Sequence, residues 1–509
     1  MTGNANSVPR CGARLGWRLG AACVAWAAGW PAAQAQRIQV TPTLAVTETI
    51  NERHRTAPES ERKVEATTVI SPGITIASLG GPLRGSLRYA ANAALYANES
   101  SRNRLTHSLA SQGQYSILDG RAGIDASASA SQQIVSAFGT QVADSSVDGE
   151  NQAQTFSYSI SPYLTGRLLG NVNYQTRLAY DETRTASGVA GSSSALTATA
   201  GLSGRIASLG WGLNASRQIV ESRDRPRTHL GRVVGSLDYL VDPTLVVALR
   251  AGTDVQDVST GQSQTSTSWG AGVNWRPGPR TSLGIDYDRR YFGNSHALVF
   301  THRMARTVWT ASDTRSVQIG GNRSRAEIST YDLFYAQFAS VEPDPVRRDA
   351  LVRAFLDANG LDAESTVVVG GFLTSAPAVQ RRQQFAMSYQ GLRTSFTVKA
   401  FSGRASRLAA VVSADDDFAT TDRVRQRGIA VSVSHRLTAL SSFVVTGSQQ
   451  HTSSEGALGG NDLLSLAATW TARLGQDMNV SLGVRLSQFD NDRSAYNESA
   501  VFGSIRMRF

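Results

Sequence analysis

From Ile38 to the C-terminus, apolar and polar residues alternate with period two, the signature of strands whose two faces meet different surroundings. Met478, Val480, Leu482, Val484 and Leu486 interleave with Asn479, Ser481, Gly483, Arg485 and Ser487. Leu464, Leu466, Ala468 and Trp470 interleave with Ser465, Ala467 and Thr469, and Val172, Tyr174 and Leu178 with Asn173, Gln175 and Arg177. Trp269, Ala271, Val273 and Trp275 repeat the pattern against Gly270, Gly272, Asn274 and Arg276. Roughly 22 such runs occur, many about 9–14 residues long, the length a tilted strand needs to cross a bilayer. Strands of a soluble sandwich are about 5–6 residues long, so that fold is excluded. The second face carries Gly, Ser, Asn and Arg, which suits a wet interior. The pattern predicts an all-β, antiparallel transmembrane outer-membrane β-barrel of about 18–22 strands.

The links support this. Tight links are expected at Gly80-Gly81-Pro82, Asp119-Gly120, Thr165-Gly166, Asp242-Pro243, Pro277-Gly278-Pro279, Gly391 and Gly475-Gln476. Longer polar links are expected at 51–62, 135–151, 181–193, 334–380, 401–423 and 451–461, with Gly293 to Ser295 breaking the alternation. Outer-membrane barrels have short periplasmic turns and longer extracellular loops, so both chain ends belong at the periplasmic rim. Ser71-Pro72 and Ser161-Pro162 place proline inside strand runs, where a bulge or a strand end is expected. One short helix is expected over 345–358, within a long extracellular loop at 341–380, either folded inward as a constriction with its apolar stripe on the wall or held outside as a cap or interaction surface. Asp344 can cap it, Pro345 suits its first turn, Asn359-Gly360 stops it, and Leu351, Val352, Phe355 and Leu356 form its apolar stripe.

Composition narrows the class. Of 509 residues, 18% are charged and 41% hydrophobic, too apolar for a disordered chain. No run beyond residue 35 is long and apolar enough for a spanning helix. Residues 1–35 read as a secretory signal: Arg10, Arg14 and Arg18 precede an apolar core from Leu19 to Trp30, and Ala33-Gln34-Ala35 is a small-x-small cleavage site. Cys11 and Cys23 both lie within it, so residues 36–509, a single barrel domain, carry no cysteine and no disulfide. The final strand puts Val501, Ile505, Met507 and the terminal Phe509 on one face, a pattern similar to the barrel-assembly signal of outer-membrane proteins. Outer-membrane lipid and the barrel-assembly machinery are the partners this implies, and the bacterial outer membrane the location.

The net charge of +10 is nearly all arginine, with Lys63 and Lys399 the only lysines. Period two puts Arg177, Arg232, Arg250, Arg276, Lys399, Arg436, Arg473, Arg485, Arg506 and Arg508 on the inward face. Two readings stand side by side. Arginine rings in a watery barrel favour anions, because low-dielectric walls focus the field. Alternatively, inward acids such as Asp238, Asp286 and Asp288 pair with them and brace the wall. The arginines are spread over strands and not clustered on a helix, so nucleic acid is excluded as a partner. The acidic run Asp415-Asp416-Asp417 reads as solvated, without ordered calcium-ligand spacing, and the 490–498 acids lack the central glycine of a calcium loop. The seven histidines show no metal spacing, and no catalytic motif or cofactor fingerprint is present. Tyr158, Tyr174, Tyr180, Trp269, Trp275, Trp309 and Trp470 are expected to face out, as interfacial girdles.

Several stretches resemble one family: VISPGITI (69–76), LYANESSRNRLTHSL (95–109), SQQIVSAFG (131–139), WGAGVNWRPGPRTSLGIDYDRRYFG (269–293), PDPVRRDALVRAFLDANGL (343–361) and GGFLTS (370–375). In this order they are similar to the PEP-CTERM system-associated outer membrane proteins. Asn51-Glu52 stands where that family often has Asp-Asn. The resemblance implies an exosortase-linked barrel associated with exopolysaccharide export or surface assembly, with the polymer or its export proteins as partners. It supplies no functional residue. A structural anchor or receptor without transport is the second reading. A hydrolase or protease is the third, with His296 and His302 near an outward link but no specified partners.

Overall fold

The computed structural model describes residues 38–509 except 58–60, 79, 144–150, 169, 186–190, 223–224, 259–261, 320–327, 339–340, 359–365, 369–370, 409–415, 456–458 and 493. The expected signal at 1–35 and the helix stop at Asn359-Gly360 lie outside them. Among the described residues, 22 antiparallel strands form one sheet, each paired with its neighbours in sequence. The sheet closes on itself: the first strand, Ile38–Ala57, pairs with Glu61–Ser78 on one side and with the last, Ala495–Arg508, on the other. The one long excursion joins Thr307–Gln318 to Ala378–Gln390, which pair directly despite the chain between them.

Strands run from 10 to 20 residues. A 14-residue strand is about 46 Å long, so even a steeply tilted one outreaches a lipid band about 25 Å tall. This is why the outer links are shorter than their polarity suggests: the strands continue to Ala57, Thr185, Arg407 and Ser454 before turning. Thr165-Gly166 is likewise not a turn. It lies within Gln152–Leu168, and the Tyr174 ring covers the place a side chain at Gly166 would fill.

The two prolines make neither a bulge nor a strand end. Pro72 keeps continuous register with Leu44, and Pro162 with Ile124. On the opposite side each ladder skips two residues and resumes in the same register, from Ile70↔Ala93 to Gly73↔Ala90 and from Ile160↔Tyr180 to Tyr163↔Arg177. A strand residue directs its N–H to one neighbour only, so proline forfeits pairing on one side alone.

The exterior is apolar. Leu249 is 61% exposed, Val501 60% and Leu482 56%, while the inward positions of the same strands include Arg250, Glu498 and Ser481. Surface of this kind, continuous around a cylinder, belongs against lipid and not water. Outward aromatics gather at two levels. Tyr239, Trp275, Phe443 and Trp470 lie within a turn of the short-loop rim, and Tyr158, Tyr180 and Trp269 lie further along their strands. The chain is a transmembrane barrel of the bacterial outer membrane, with Ile38 of its first strand and Arg508 of its last at the short-loop rim, the one expected to face the periplasm.

The excursion holds two helices, not one: α1, Thr330–Phe338, and α2, Pro345–Ala358. Asp344 caps α2, its carboxylate accepting from the Arg347 amide at 2.9 Å. The pair is not an extracellular appendage. Phe334, Val352 and Leu356 are buried in one cluster with Val444, an inward residue three positions from the periplasmic start of Ser441–Ser454. The helices therefore lie inside the lumen. Phe355 packs beside this cluster, whereas Leu351, placed on the same stripe by spacing, is 42% exposed.

Candidate functional site

The functional surface is the barrel interior, which has three parts: a charged wall, a plug and an open polar side. On the wall, all ten predicted basic residues take the inward parity of their strands, but they divide into two groups. Arg177 reaches Asp125 at 2.7 Å. Arg250 binds Asp286 at 2.6 Å and Asp288 at 3.0 Å, and Arg232 lies 3.6 Å from Asp254 and 3.9 Å from Asp288. Arg485, 7% exposed, contacts Glu498 at 3.2 Å, and Arg53 holds the same carboxylate at 2.7 Å. Lys399 lies near α1, in the field of Asp332. The arginines of this group brace neighbouring strands. By contrast Arg276, Arg436, Arg473, Arg506 and Arg508 have no ion-pair partner among the described residues, and all stand at the periplasmic ends of their strands.

Of the expected acids, Asp286 and Asp288 join the wall network and Asp238 does not. Asp254 was not singled out from sequence, yet it is 1% exposed and also binds Arg290 at 3.0 Å. Period two contains this signal, since Asp254 shares the inward parity of Arg250. His296 and His302 do not come together. They lie toward opposite ends of Gly293–Arg303, His296 3.1 Å from Asp313 and His302 2.8 Å from the Thr281 hydroxyl.

The plug is built at both depths. In the lumen, α1 and α2 are joined by the Phe355 ring packing at a tilt against Phe334 and Phe338, and by the Tyr331 hydroxyl donating to Asp349 at 2.5 Å. At the outer mouth, loop residues 135–143, 371–377 and 416–421 knit together around Ala137, Phe372 and Phe418. Here Asp416 and Asp417 correct the solvated reading. Asp416 is 3% exposed and accepts from the Thr374 hydroxyl at 2.8 Å and the Ser375 amide at 2.9 Å. Asp417 accepts from the Ser136 hydroxyl at 2.6 Å and the Ala137 amide at 2.7 Å. Burial pushes the Asp417 carboxyl up to about 6, opposed by these two donors and reinforced by neighbouring Asp416. Asp415 lies outside the described residues. Gln141 ties the outer loop to the wall, its carbonyl accepting from Tyr496 at 2.5 Å and its side chain from Gln450 at 3.1 Å.

A cleft of about 540 Å³ lies between α2 and the strands of residues 83–222. Its lining is mostly hydroxyl and amide, including Ser86, Gln112, Ser127, Ser159 and Gln218, with Arg353 of α2 facing this wall. The lining also carries Arg88, Asp181, Tyr158 and Ile319, so it offers hydrogen bonds to a hydroxyl-rich solute beside apolar patches for ring faces.

No family model and no curated protein sequence matches the chain. Among solved structures it is similar to the FrpB iron transporter of Neisseria meningitidis (13% identity, 92% of this chain and 81% of that chain, TM-score 0.43). It is also similar to the siderophore receptor PirA of Acinetobacter baumannii (9%, 92% and 80%, TM-score 0.45) and to OpdQ of Pseudomonas aeruginosa (8%, 92% and 98%, TM-score 0.33).

Proposed function

We propose that this barrel is a non-enzymatic, transport-type outer-membrane protein that takes part in the export or surface assembly of an exopolysaccharide, in the exosortase-linked setting its sequence resemblance implies. The observation that carries the reading is the open side of the lumen. A wall of serine, threonine and glutamine facing a cleft beside the helix plug matches the hydrogen-bonding of a sugar chain. Deleting the gene is expected to lower polymer at the cell surface, measured as total secreted carbohydrate, with restoration by the wild-type gene. Unchanged polymer would sink the reading.

A second reading, a structural anchor or receptor without transport, is favoured by the double closure. The helix pair occupies the lumen and three loops cover part of the outer mouth. It expects unchanged polymer but loss of whichever surface component the barrel holds.

A further inference from the structure

Charge along the barrel axis is not evenly neutralised. In the middle and outer lumen, the inward arginines Arg53, Arg177, Arg250, Arg290 and Arg485 each meet a carboxylate. At the periplasmic mouth the pairing stops. Arg473 and Arg506 both stand directly opposite Asn479 in the cross-strand register, so the three residues form one row across three adjacent strands. Two strand spacings separate the arginines by about 10 Å, and Arg508 follows Arg506 on the same face about 7 Å nearer the rim. Arg436 ends another strand of this arc and is exposed. The carboxylate of the adjoining turn, Asp477, forms no ion pair with them among the described residues, although its backbone carbonyl accepts from the Arg508 amide at 2.9 Å.

Like charges gathered in a mouth repel, and among the described residues no acid pairs with these arginines to offset the cost. The geometry points to an anion-binding collar, formed by Arg436, Arg473, Arg506 and Arg508, that receives a carboxylated polysaccharide from the periplasm. This deepens the function proposed above and rests on it. Guanidinium forks bind carboxylates bidentately. The spacing of the row is of the order of a disaccharide repeat, so an extended polyuronate can meet successive forks. The side chains point into the lumen and not along the outer rim, which favours a thin polymer over the broad acidic face of a folded protein.

The test uses the full-length barrel in detergent, with polygalacturonate oligomers as the probe and titration calorimetry as the readout. Binding is expected to weaken with added salt, and uncharged dextran is expected not to bind. The triple variant Arg473→Gln, Arg506→Gln, Arg508→Gln is expected to lose about tenfold or more in affinity, the equivalent of at least one charge-assisted contact. Should that variant not fold, Arg508→Gln alone, at the strand end, is expected to lose about two- to threefold. Absence of polygalacturonate binding, or an affinity that the substitutions leave unchanged, overturns the collar. Equal binding of polyglutamate overturns the assignment to polysaccharide. These outcomes are separate from the deletion experiment: polymer output can depend on the barrel while the collar fails, and the collar can bind while output does not change.

Discussion

Glu498 shows how much one inward carboxylate carries. It is 4% exposed and shared between Arg53 and Arg485, on either side of its own strand. Removing one partner of a buried pair leaves the others charged and unmatched, at about 3–5 kcal/mol. Glu498→Ala is therefore expected to lower the urea midpoint of the detergent-held barrel, whereas Glu52→Ala, whose pair with Arg62 is far more exposed, is expected to shift it little. Asp417 makes a different case, because its carboxyl titrates. Its folded value is raised, so its contribution is complete below the ordinary aspartate range near 4 and is lost as pH rises through about 6. The contact between loop residues 136–137 and 416–418 is expected to be tighter at pH 5 than at pH 7.5. Hydrogen exchange of the Ala137 amide, corrected for the intrinsic rate, measures this; Asp417→Asn is expected to abolish the pH difference. Equal protection at both pH values would contradict the assignment.

At the scale of elements, the strands were legible because lipid and water impose opposite demands on alternate residues, and a period-two pattern records that directly. The 345–358 helix was legible from its cap, its first-turn proline and its spacing, and it forms over those residues. Its neighbour was missed although Tyr331, Phe334, Tyr335 and Phe338 recur at helical spacing, because nine residues leave little room for periodicity to declare itself. Placement was legible only as a choice between the lumen wall and an outer cap, and the helices take the wall. An apolar stripe states that something will be buried, not whether a lumen wall or a partner buries it. Charge pairing was half legible: parity gives the face, but which carboxylate meets which guanidinium depends on the stagger between strands. Undocking the helices tests their role as a constriction. Val352→Asp places a charge in the fully buried contact with Phe334 and Val444 and is expected to raise single-channel conductance in planar bilayers. Unchanged conductance would mean the helices do not limit passage.

For the whole molecule, stability comes from a closed hydrogen-bonded cylinder whose outer surface needs lipid. The processed chain is expected to remain monodisperse only in detergent or bilayer and to aggregate once either is removed, as light scattering would show. A compact monomer in plain buffer would refute the membrane reading. The excursion between Gln318 and Ala378 adds a constraint on how the molecule is made. Its helices rest deep in the lumen, while loops above them lace the outer mouth and strands 38–57 and 495–508 complete the seam. The excursion leaves and returns at the outer strand ends, so the helices enter from that side and must dock before the loops above them lace together: the stopper goes in ahead of the cap.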